Sequence, residues 1–170
     1  MFYIFFLLGI VTHIIRSIYE YLKLKNKINT ENKFIFIFMF FNMFVLWVSW
    51  FNMCEFDIYT INLGAFLKYL GLILFISGII IFLIALLQIK TVENYKGDLI
   101  TTGIYRYIRH PMYFAFILWI FGYSIFNEAF FSFIAGIIFS INIYYWKSVE
   151  EKLLIKSYRE YETYMQKTLF

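Results

Sequence analysis

Residues 103–113 read Gly-Ile-Tyr-Arg-Tyr-Ile-Arg-His-Pro-Met-Tyr and lead directly into an uncharged stretch, 112–126. Another uncharged stretch, 69–89, lies upstream. Polar groups held where an apolar segment begins usually have a task. Arg109, His110 and Tyr113 are groups able to bind a charged small molecule. Pro111 lacks an N–H and has a fixed φ, so it suits the first turn of a helix and marks where the next span opens. The free N–H groups and dipole of that first turn favour an anion there.

Working outward, a helix needs about 20 apolar residues to cross the hydrocarbon core. Five stretches qualify or come close: 2–15 (continuing past Arg16), 34–53, 69–89, 112–126 and 129–146. The first and fourth are short and require tilt or snorkelling. Asn127 and Glu128 alone separate the last two, which predicts a tight helical hairpin. The reading is therefore an all-α integral membrane bundle of about five spans forming one domain, 1–170. A cytoplasmic amphipathic helix is expected after Lys147, where Leu153, Leu154, Tyr158, Tyr161 and Met165 recur at helical spacing.

Composition agrees. Hydrophobic residues make up 62% of the 170 residues and charged residues 15%, whereas a soluble domain is about half apolar and a quarter charged. The net charge of +4 lies in short loops beside apolar stretches, so it points to a membrane and not to nucleic acid. One cysteine, Cys54, permits no internal disulfide, and with only His13 and His110 no cysteine or histidine-rich metal site is expected. The N-terminus lacks a basic residue before its apolar run and an A-x-A pattern, so it is read as a retained span.

Loop charge sets the expected orientation. Five basic residues fall in 16–33, four in 90–111 and five in 147–170, whereas Lys68 is alone in its loop. Fourteen of the fifteen basic residues thus share one side, and the positive-inside rule makes that side cytoplasmic. The N-terminus is expected outside, and the C-terminus and the Arg-His-Pro segment inside.

Glu150 and Glu151 follow the fifth stretch on the same side. The hairpin folds them back toward Arg109 and His110, although about forty residues separate them in sequence. Paired carboxylates can accept from ribose hydroxyls, neutralise a cation or take a proton. Lys147 lies three and four residues earlier, at spacings that allow pairing. His13, with Arg16 nearly a turn on, reads as interfacial or hydrogen-bonded between helices, and Cys54 as marking the outer end of its span.

The order Leu99-Ile-Thr-Thr-Gly-Ile-Tyr105, Arg109-His110-Pro111-Met112-Tyr113, Glu150-Glu151, then Tyr161 and Tyr164 resembles the membrane methyltransferases that include isoprenylcysteine carboxyl methyltransferase and the phospholipid methyltransferases. The resemblance covers about 66–165. It implies a methyltransferase-like core over 66–170 behind a variable two-span part, 1–65. It also implies S-adenosylmethionine (AdoMet) as cofactor and a lipid or lipid-linked methyl acceptor. By the same resemblance, His110 and Tyr113 hold the methionine end, and Arg109 and Pro111 shape that pocket. Leu99 and Tyr105 lie by the adenosine, Glu150 or Glu151 meets the ribose, and Glu150, Glu151 and Lys147 stand at the reacting end. Ala115 stands where the family often has glycine, and Trp146-Lys147 where an arginine often precedes the acids. No Gly-rich nucleotide loop after a strand is present. Two other readings are an NADPH-dependent membrane reductase of the sterol reductase type, with a similar Arg-His-Pro region, and a non-enzymatic membrane protein retaining the fold.

Overall fold

The computed structural model describes residues 1–89 and 97–170; Lys90 and Lys96, counted above among the loop charges, lie outside the described residues. Helices α1 (Phe2–Leu24), α2 (Lys33–Glu55) and α3 (Gly64–Ile89) are followed by a 3-10 turn at Gly103–Arg106. Then come α4 (Pro111–Phe126), α5 (Phe130–Ser157) and the short α6 (Tyr161–Met165). There is no strand among the described residues, only two isolated bridges. Four helices, α1, α2, α3 and α5, are long and apolar enough to cross a membrane, and α4 is a shorter apolar helix. This is the helical membrane bundle that the sequence predicts.

Side-chain contacts fix the alternation of the helices. Phe2 of α1 packs on Phe131 of α5, so these helices start at the same end and run parallel. Asn42 of α2 donates to the Thr12 carbonyl of α1, 3.1 Å away. Beyond α2, Asp57 accepts from the Ser132 amide and hydroxyl at the start of α5, each at 2.7 Å. At the α4–α5 turn, Glu128 adopts a left-handed φ of 57° and its carboxylate receives the Leu63 amide and the Lys68 ammonium. One end of the bundle thus collects the N-terminus, the α2–α3 connection and the hairpin tip. The other end collects the α1–α2 loop, the 97–110 segment and the C-terminus.

The closest helix pairing is α3 with α4. A Cβ at Gly122 would stand 2.5 Å from the Phe75 amide nitrogen and 2.9 Å from the Gly71 carbonyl oxygen, so only glycine lets the two backbones meet. In lipid, where burial of apolar area gives helices little reason to associate, such close van der Waals approach supplies much of the attraction. Much of the remaining core is aromatic: Trp47, Phe116 and Trp119 form a cluster with ring centroids 4.9–5.5 Å apart.

Helix α1 continues past Arg16 to Leu24, as the sequence reading expects, and its polar last turns carry a buried Arg16–Glu20 pair at 2.5 Å. One boundary differs. The tail is not one helix: α5 continues three turns past Trp146 and stops at Tyr158, whose backbone is extended (φ −127°, ψ 114°). The Tyr158 hydroxyl donates to the Gly97 carbonyl at 2.6 Å, anchoring the break to the loop before the 3-10 turn. His13 is hydrogen-bonded between helices, its Nδ1 2.9 Å from Asn142 Oδ1. Cys54 lies in the last turn of α2 and is buried.

Candidate active site

Pro111 occupies the first turn of α4 and His110 is its N-cap residue, so Arg109 and His110 are placed at the helix mouth by the proline. From the fifth helix, about 20 residues from Phe130 suffice to cross the apolar core. Lys147 therefore lies near the boundary and Glu150 and Glu151 just beyond it. The two ends meet. Arg109 Nε donates to Glu151 Oε1 at 2.7 Å, His110 Nε2 stands 3.5 Å from that oxygen, and Lys147 Nζ 3.6 Å. Three nitrogens converge on one carboxylate oxygen.

The environment is largely closed. Lys147 is 3% exposed and His110 5%. Burial works against the Glu151 charge, but hydrogen bonds from His110 and Arg109 and the Lys147 charge outweigh it and hold the carboxyl at about 2. Tyr161 of α6 brings its hydroxyl 3.1 Å from His110 Nε2. Burial raises the Tyr161 phenol, and the Glu151 and Glu150 charges add to the rise. Tyr105, in the 3-10 turn, is buried, and its phenol is raised by burial and then by Glu150. Tyr164 donates to the Tyr105 carbonyl, and burial pushes its own phenol up to about 12.

The remaining residues singled out in the sequence fall around this centre. The Tyr113 ring is 5.8 Å from the His110 ring, and Pro111 is buried. Glu150 is half-buried, close enough for its charge to act on Tyr105 and Tyr161. Leu99 lies half-buried in the segment before the 3-10 turn.

Two supports have no counterpart in the sequence reading. Gln88, at the end of α3, accepts from the Ile104 amide at 3.1 Å. Gly103 has φ +58°, and a Cβ there would collide with the Gln88 amide. A lone Gly in Thr-Thr-Gly-Ile-Tyr is the only trace of this in the sequence. The second support is the chain's last stretch. Leu169 donates to the Tyr107 carbonyl at 2.8 Å and accepts from the Arg109 amide at 3.1 Å, and Arg109 Nη1 donates to the Thr168 carbonyl at 2.9 Å. The Phe170 ring lies 4.9 Å from Lys147 Nζ and 5.7 Å from the Phe114 ring.

This cationic centre between α4 and α5 falls inside the part of the chain that has relatives. A model of the phospholipid methyltransferase family matches residues 66–161. No curated protein and no solved structure matches the chain. The match spans more than half of the sequence, from the first turn of α3 to Tyr161, and the chain belongs to the phospholipid methyltransferase family.

Proposed function

We propose that the chain transfers a methyl group from AdoMet to a lipid acceptor at the cytoplasmic boundary of the membrane. The observation that carries this is the convergence of Arg109, His110 and Lys147 on Glu151 Oε1. The donor set fits the cofactor's charges. Arg109 and Lys147 bring two permanent cations against one touching carboxylate, which favours an incoming methionine carboxylate. His110 and Tyr113 stand beside them, and Leu99 and Tyr105 are the groups for the adenosine.

When bound, AdoMet supplies an electrophilic methyl on a sulfonium. The chain's own task is to align the acceptor and keep water out. A carboxyl held at about 2 is a poor base, so Glu151 organises the cations. Glu150, half-buried beside Tyr105, is the acid left to accept ribose hydroxyls. In this reading it also takes the proton that an amine acceptor must lose as its nitrogen gains the methyl. A carboxylate acceptor needs no such base. The family description favours a phospholipid acceptor. In this reading residues 66–170 carry the donor site and α1 and α2 form a supporting part. Loop charge puts the N-terminus outside.

Titration of the purified protein with AdoMet and, separately, NADPH tests the reading. Saturable AdoMet binding is expected, falling about tenfold or more in His110→Ala, together with labelled methyl transfer to a lipid extract. Binding of NADPH alone would favour the reductase, and binding of neither would refute both.

A further inference from the structure

Away from this centre, a groove of about 510 Å³ runs between α1 and α5. It opens outward: Ile14, Ile18 and Ile138 in its walls are each more than half exposed. In a bilayer these faces meet lipid, and a purely apolar groove there would need no explanation. This one has a polar floor. Asn142 Nδ2 donates to Ser17 Oγ at 3.0 Å, Ser17 lies 3.2 Å from Asn142 Oδ1, and Trp146 Nε1 donates to Ser17 Oγ at 2.9 Å. Polar side chains at a lipid-facing depth are costly unless used.

The polarity is graded along the groove. Helices α1 and α5 run parallel, so residue order gives depth. Ile10, Ile14, Ile138 and Phe139 form the deep end, where the buried His13 joins the polar floor with Nδ1 2.9 Å from Asn142 Oδ1. Ser17 and Asn142, with Ile18 on the wall beside them, lie nearer the end that carries the Arg-His-Pro segment. Tyr21 and Tyr145 stand at the mouth, at the level where amphipathic rings gather. Lys25 follows, its ammonium 5.9 Å from the Tyr21 ring centroid. Apolar, then hydrogen-bonding, then cationic is the order of parts in a glycerophospholipid: acyl chain, esters, phosphate. The volume lies within the range of ligand-sized clefts.

We propose that the α1–α5 groove docks one glycerophospholipid from the leaflet on the motif's side. One acyl chain lies between the isoleucines, the ester oxygens lie at Ser17 and Asn142, and the phosphate lies under Lys25. This rests on the methyltransferase reading for the lipid's role as acceptor. Trp146 lies buried behind Ser17, donating to it, and Glu150 lies one turn further along the same ridge of α5. That ridge leads from the docked lipid to the acids beside Tyr105.

The test is photo-crosslinking in phosphatidylcholine vesicles containing phosphatidylethanolamine with a diazirine midway along one acyl chain. Label should concentrate on α1 and α5 around Ile14 and Ile138, not on Ile73 and Ile80 of the lipid-facing side of α3. Ile138→Trp fills the groove from a position 59% exposed, which spares the packed interior. It should cut α1 labelling about tenfold, the scale set by lost methylene contacts, while Ile80→Trp leaves it unchanged. Even labelling of α1, α3 and α5, or an Ile138→Trp variant that labels like the parent, overturns the proposal. The readout is lipid position, so a protein that fails to bind AdoMet would sink the proposed function without touching this result. Methyl transfer with unlocalised label would do the reverse.

Discussion

Replacing Glu151 with Gln tests the cationic centre most directly. The carboxyl is held at about 2 against an ordinary 4.5. That difference corresponds to about 3 kcal/mol of preference for the charged form. Partial solvation of the side chain, which is 14% exposed, screens this to about 2 kcal/mol. The folded-state value is depressed, so the stabilisation is fully present above 4.5 and is lost as pH falls from there toward 2. Glu151→Gln keeps the shape and loses the charge. It should lower the melting temperature at neutral pH by roughly 4–8 °C, taking 2–4 °C per kcal/mol for a chain of this size. Tryptophan fluorescence of the detergent-solubilised protein gives the measurement. The decisive comparison is the acid limb: the parent should lose stability between pH 4.5 and about 2, and the two proteins should converge at its lower end. Equal melting temperatures at pH 7, or a gap that persists undiminished at low pH, would show that Glu151 does not neutralise Arg109 and Lys147.

Three further outcomes are expected. Gly122→Ala places a methyl 2.5 Å from the Phe75 nitrogen, so α3 and α4 must part by about 1 Å at a cost of about 1–3 kcal/mol; a denaturant titration in micelles that matches the parent would contradict the close approach. Gly103→Ala combines a left-handed backbone with a collision against Gln88 and should weaken AdoMet binding about tenfold or more while membrane insertion is kept; calorimetric titration checks it, and unchanged affinity would remove Gln88 as a support of the donor site. A fluorescent or enzymatic reporter joined through a flexible linker after Phe170 should read cytoplasmic; an extracytoplasmic signal would invert the topology.

The long helices were legible because uncharged runs of sufficient length have one low-energy solution in lipid. The meeting of Arg109 and His110 with the acids was legible for a similar reason, since Asn127-Glu128 leaves no room for anything but a hairpin. What sequence could not supply was pairing that depends on backbone. Thr168 and Leu169 reach Arg109 and Tyr107 through carbonyls and amides, which every residue possesses. The break at Tyr158 was hidden too: no Pro or Gly marks it, and the hydroxyl there donates to a carbonyl sixty-one residues away. Arg16 and Glu20 could be read as charges at pairing distance on a helix. Their burial against α5, with Arg16 over the Trp146 ring, is a tertiary fact.

Helix α4 has 16 residues, about 24 Å of rise where the hydrocarbon is about 30 Å deep. A bilayer meeting so short a rod dimples toward it rather than leave its ends in oil. Thinning at the Pro111 end would bring headgroups and water down to the start of the rod. In the proposed function, a water-borne donor and a lipid acceptor would meet in that shallow basin below the general membrane plane, with neither crossing a full interface to get there.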